Sequence, residues 1–155
     1  MKTKTYKTII GVDLGDKQHH VCVTDKDGNI VSETTIPNNQ EQIARLAGEH
    51  PGALVAIEVG THSPWISRLI EAGGCTCVVA NARKLRAIYQ NDRKCDQHDA
   101  RMLAKLARAD PELLSPIHHG SEERQLHRLA ITLRDSLVRQ RVNIISTVRF
   151  SLKSL

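Results

Sequence analysis

The chain has almost no aromatic residues: one Phe, one Trp and two Tyr in 155 positions. Base stacking on a row of rings is therefore excluded as its main way of holding a nucleic acid. Cysteine is sparse and poorly spaced for chemistry, since Cys22, Cys75, Cys77 and Cys95 form no C-x-x-C pair. That argues against a structural zinc site and reads as reduced thiols of a cytoplasmic protein. No apolar run approaches the roughly 20 residues of a membrane span. The opening Met1-Lys2-Thr3-Lys4 also lacks the apolar core of a secretory signal. From Ser121 onward there is no Gly and no Pro.

What is present is the make-up of an ordinary globular domain, 40% hydrophobic and 25% charged. A length of 155 residues fits one domain, or one domain with an appendage, large enough to bury a core unaided. The formal charge of +5 permits a nucleic-acid partner without requiring one.

Along the chain, Tyr6 to Leu14 reads as a strand whose Ile9-Ile10-Gly11-Val12 centre suits burial on both faces. His19 to Thr24 and Ile30 to Thr35 follow, and Asp27-Gly28 between them signals a hairpin. These three strands form an antiparallel meander. An Asn then caps a helix over 40–49, with Ile43, Leu46 and Ala47 inward. Ala53 to Ile57 is a short buried strand ending at Glu58. Thr61 or Ser63 caps a helix that starts near Pro64 and stops at Gly73-Gly74. Cys75 to Ala80 is a fifth strand, Asn81 to Arg86 begins a basic helical segment, and a last helix covers 96–109 with Ala100, Leu103, Ala104 and Leu106 inward. The order β-β-β-α-β-α-β-α predicts a mixed sheet with helices on its faces.

In open α/β sheets, sites form at the carboxyl ends of strands. Asp13 and Glu58 end what would be neighbouring parallel strands, and Asp96 and Asp99, three apart on a helix, share one face. Carboxylates held that close repel unless a cation or proton intervenes. Each acid also has a plainer reading: Asp96 as a helix cap, Asp99 as a dipole partner, Glu58 as a solvated strand end, and Asp13 as a turn residue before Gly15. Together they suit phosphodiester cleavage, which two divalent ions on hard oxygen ligands can drive.

Past Ser121 apolar residues recur helically at Leu126, Ala130, Leu133 and Leu137, then at Val142, Ile145, Val148, Leu152 and Leu155. One helix of that length spans about 50 Å, more than this domain needs internally. The expected organisation is a catalytic domain over 1–112 and a linker with a helical arm over 113–155, cut before a second domain.

Three strings resemble the amino-terminal domain of DEDD transposases of the bacterial insertion-sequence "one-ten" family, which includes the pilin-gene invertases. They are Gly11-Val12-Asp13-Leu14-Gly15, Ile57-Glu58-Val59-Gly60-Thr61 with Trp65 downstream, and Lys94-Cys95-Asp96-Gln97-His98-Asp99-Ala100-Arg101. Cys95 stands where that family often has Thr.

The resemblance implies an RNase H-like, RuvC-like fold with a five-stranded mixed sheet and a coiled-coil arm. It also implies Asp13, Glu58, Asp96 and Asp99 as catalytic ligands of two Mg²⁺ or Mn²⁺ ions. Such proteins are recombinases acting on DNA, guided by an RNA their element encodes, with a serine nucleophile in a further domain. Homo-oligomers, dimers or tetramers, would pair through the arm. Arg83, Lys84, Arg86, Arg93 and Lys94 around the acids, with Arg124 and Arg128 on the arm, are the expected nucleic-acid contacts. A stand-alone resolvase of branched DNA, or a non-catalytic nucleic-acid-binding dimerisation module, are the competing readings.

Overall fold

The structure, a computed structural model, describes residues 5–84 and 96–153, with the side chain of Asp96 outside that description. In order the elements are β1 Thr8–Leu14, β2 Gln18–Asp25, β3 Ile30–Pro37, α1 Gln40–Glu49, β4 Leu54–Glu58, α2 Ser63–Ala72 and β5 Thr76–Ala80. They continue with α3 Asp96–Ala109, a 3-10 turn Pro111–Leu114, and α4 Glu122–Lys153. The chain divides into two compact units, residues 1–118 and 119–155.

In the first unit the sheet runs β3-β2-β1-β4-β5. Strands β1, β2 and β3 pair antiparallel, while β1, β4 and β5 pair parallel. This is the five-stranded mixed sheet that the order of elements in the sequence predicts. Asp25 closes the β2–β3 hairpin by accepting from the Asp27 and Asn29 backbone amides at 2.9 and 2.8 Å. Gly28 takes φ +92°, which an L side chain rarely adopts.

Strand alternation sorts the core onto two faces. On one, Ile10, Val12, Val21, Val55, Ile57 and Val79 pack against Ile43 and Leu46 of α1 and Ile66 and Ile70 of α2. On the other, Ile9, Cys22, Leu54, Ala56 and Ala80 pack against Ala100, Leu103, Ala104 and Ala107 of α3. The inward face of α3 thus carries Ala107, whereas Leu106 is only partly buried. A stripe of alanines lets the helix lie close to the sheet.

Asn39 caps α1 as the sequence predicts, accepting from the Gln42 amide at 2.9 Å. The start of α2 differs from expectation. His62 is its cap residue and makes no side-chain cap bond, while Ser63 is already helical. The Ser63 hydroxyl instead donates to the Gly60 carbonyl at 2.8 Å, bracing the turn that follows β4. This buried Ser satisfies a loop, so the expected cap role does not arise.

The second unit is dominated by α4, 32 residues long with no buried residue. At about 1.5 Å per residue it spans roughly 48 Å. Its apolar side chains are open, Leu133 at 55% and Leu137 at 66% exposure.

Candidate active site at the carboxyl end of the sheet

Val12 of β1 lies beside Ile57 of β4 in parallel register. The next residue on each strand is an acid, Asp13 and Glu58, so the two stand side by side where the strands end. Both fall in the alternation phase of Ile9, Gly11, Leu54 and Ala56, which is the face that α3 covers. Both are half-buried.

The direction of α3 decides what faces them. A β-carbon on Gly11 would stand 2.0 Å from the Ala100 carbonyl oxygen and 2.6 Å from the Ala104 amide. The helix backbone therefore rests directly on β1, one residue after Asp99. Near its other end, the Arg108 side chain approaches Gly28 in the β2–β3 hairpin, beyond the start of β1. So α3 runs antiparallel to β1, and its amino terminus points toward the strand end that carries Asp13. From Ala100 back to Asp96 is about 6 Å along the helix. From Gly11 on to Asp13 is about 6.6 Å along the strand. Asp99, half-buried, belongs to the same end of the molecule as Asp13 and Glu58.

The position of α3 is fixed by an ion pair as well as by packing. The Arg101 guanidinium bonds both oxygens of Glu33 on β3, through Nε to Oε1 and through Nη2 to Oε2 at 2.6 Å. Arg101 holds the Glu33 carboxyl below its ordinary pKa range. Beneath it, burial pushes the Cys22 thiol up to about 11, with Glu33 adding to the effect.

On the same face, His20 is the cross-strand partner of Asp13, and Thr35 is the partner of His20. The Thr35 hydroxyl and His20 Nδ1 are hydrogen-bonded at 3.2 Å. A cleft of about 130 Å³ opens there, walled by His20, Glu33, Thr35, Gln97 and Ala100. Nothing local in the sequence assigns a role to His20, Glu33, Thr35 or Gln97. The hairpin register, which brings His20 level with Asp13, is the signal that finds them.

On the opposite face, His19 is fully buried. Its Nε2 meets Asn38 Oδ1 at 3.1 Å, and its Nδ1 has no hydrogen-bond partner among the described residues. Asn38 in turn donates to the Asp16 carbonyl at 3.0 Å and so ties down the turn after Asp13. His62 lies 3.4 Å from the Asp16 carboxylate and edge-on to Trp65. Trp65 itself is partly buried against the core.

Among the described residues, no group of three or more His, Cys, Asp or Glu side chains is gathered to hold a metal ion. The donor types at this end, carboxylates from β1, β4 and α3, are nonetheless those that hard divalent cations take. Of the expected basic contacts, Arg83 and Lys84 are exposed just after β5, whose last residue, Ala80, pairs with Glu58. Arg86, Arg93 and Lys94 lie outside the described residues. Arg124 and Arg128 are exposed on α4 in the second unit. No described helix is long and apolar enough to cross a membrane.

Known proteins resemble this chain in sequence and in fold. The family model DEDD_Tnp_IS110, described as a transposase, matches residues 10–155. The insertion element IS116 uncharacterized 44.8 kDa protein of Streptomyces clavuligerus is 27% identical over 156 residues, covering 96% of this chain and 39% of that protein. The putative transposase y4uE of Sinorhizobium fredii is 32% identical over 114 residues, 65% of this chain and 31% of that protein. Among solved structures, T. thermophilus RuvC in complex with Holliday junction substrate aligns over 67% of this chain and 94% of that one, at TM-score 0.47 and 9% identity. The chain thus spans well under half the length of either transposon-borne relative.

Proposed function

The chain belongs to the DEDD_Tnp_IS110 transposase family, and from that premise we propose that it is the part of a DNA recombinase that cleaves phosphodiesters with divalent metal. Asp13, Glu58, Asp96 and Asp99 would hold Mg²⁺ or Mn²⁺, two ions in all. What supports this reading above all is the shared phase of Asp13 and Glu58 on adjacent parallel strands, facing the helix that begins at Asp96.

When bound, the ions supply a polarised phosphate and a nucleophile at neutral pH. The protein's own work is positional. Strands β1 and β4 set two carboxylates side by side, and α3, pressed onto Gly11 and tied to Glu33, brings its acid-bearing end to them. Exposed Arg83 and Lys84 offer charge to a phosphate backbone arriving at that edge. The family resemblance adds two elements to the proposal, a guide RNA encoded by the element and a serine nucleophile on a further domain, and the sparse, unpaired cysteines fit work in the cytoplasm. The open apolar side of α4 is where copies of the chain pair, as dimers or tetramers.

The test is cleavage by the intact protein in Mg²⁺. Asp13→Asn and Asp99→Asn should each abolish strand cleavage while leaving the circular-dichroism spectrum and melting profile in EDTA unchanged. Undiminished cleavage by either variant would sink the assignment. Divalent ions should also raise the melting temperature of the parent and not of the variants, by linkage. A chain whose acids are only caps and turns shows no such rise.

A further inference from the structure

The cleft beside Asp13 is polar on three sides. His20 is oriented by Thr35 at 3.2 Å, and Gln97 reaches in from the first turn of α3. Its one carboxylate among the described residues, Glu33, has both oxygens engaged by Arg101, so that wall does not repel an anion. A volume of about 130 Å³ admits a small polar group but no base pair. Register places the cleft one strand over from Asp13, on the acid-bearing face.

We infer that this cleft is a backbone subsite, in which His20, Thr35 and Gln97 receive a sugar–phosphate unit of the DNA strand whose phosphodiester lies at the acids. The inference rests on the metal-nuclease reading and adds a substrate contact to it. Gln97 can offer an amide N–H and the His20–Thr35 pair one N–H or O–H beyond the bond between them, donors that hold a phosphate without competing for the metals and read no base. Positioning from such a contact keeps the neighbouring phosphodiester in line.

The experiment measures binding of a fluorescein-labelled four-way DNA junction to the intact protein, in Ca²⁺ to keep the DNA uncut. Gln97→Ala, at an exposed position, and Thr35→Val should each weaken binding about 3- to 10-fold, the worth of one net hydrogen bond. His20→Ala should weaken it at least as much. All three should keep the parent's rise in melting temperature with Mn²⁺. Parent-like binding by Gln97→Ala and Thr35→Val, alongside loss of the Mn²⁺ response in Asp13→Asn, overturns the subsite and leaves the metal reading standing. Loss of the Mn²⁺ response in His20→Ala also overturns it, making that ring a ligand. No Mn²⁺ response in the parent removes the metal reading and the subsite with it.

Discussion

Gly11 and Ala100 are in backbone contact across the interface of strand β1 and helix α3, so close that a β-carbon on Gly11 would lie 2.0 Å from the Ala100 carbonyl oxygen. This contact sets the height of α3 above the sheet, and hence where Asp99 sits relative to Asp13. Gly11→Ala should force the helix away, with overpacking that destabilises by about 3 kcal/mol. Gly48, in the exposed last turn of α1 with nothing within 4 Å of a β-carbon, is the contrasting case. Gly48→Ala should stabilise by about 0.5–1 kcal/mol through helix propensity. Urea denaturation of the two variants against the parent checks both signs, and a neutral Gly11→Ala would show that α3 is not held by this contact.

Buried His19 makes stability depend on pH. Burial keeps its imidazole below the ordinary 6.5, so the folded chain leaves it neutral where the unfolded chain protonates it. Between the folded-state pKa and about 6.5 the unfolded state binds the extra proton, and stability rises with pH. The contribution is complete above about 6.5 and is lost as pH falls through that window. Urea midpoints at pH 7.5 and 5.5 should fall in that order, and His19→Gln, which keeps an amide to face Asn38, should flatten the difference. An equal drop in the variant would assign the pH dependence elsewhere.

Much of this architecture is written locally. The Asp27-Gly28 turn, the Asn39 cap, and the alternation in β1 and β4 each follow from a few neighbouring residues. With the parallel pairing of β1 and β4 they put Asp13 and Glu58 at one strand end. The rest depends on contacts distant in sequence. Arg101 and Glu33 are 68 residues apart, and nothing near either announces the other. Only the β1–β2 register sets His20 opposite Asp13. His62 takes the cap position of α2 while the Ser63 hydroxyl turns back to the Gly60 carbonyl, a local turn bond that helix-cap preferences alone do not contain. The inward Ala107 is legible locally, since it continues the helical spacing of Ala100, Leu103 and Ala104.

The thiols offer a check on the packing of both faces. Burial pushes Cys22 up to about 11 and Cys77 up to about 12, and it raises Cys75 as well. At pH 8 none of the three is a significant thiolate, so each should react slowly with iodoacetamide in the folded protein. In a Cys95→Ser background, mass spectrometry should find little labelling until denaturant is added. Rapid labelling of Cys22 would mean that α3 opens from the sheet far more readily than its alanine-lined contact implies.

No residue of the 32-residue helix α4 is buried, and isolated helices are marginal in water. Yet Leu126, Ala130, Leu133 and Leu137 recur at spacings of four, three and four, the spacing that a coiled-coil seam uses. Pairing that seam between copies would bury Leu133 and Leu137, now 55% and 66% exposed. The parent should therefore sediment as a dimer or larger species at micromolar concentration. Leu133→Glu with Leu137→Glu would place like charges in the seam, and should yield a monomer whose far-ultraviolet helix signal drops while the response of the first unit to Mn²⁺ persists. A parent that sediments as a monomer, with helicity untouched by the two changes, would remove the arm from assembly and leave its apolar side to another partner.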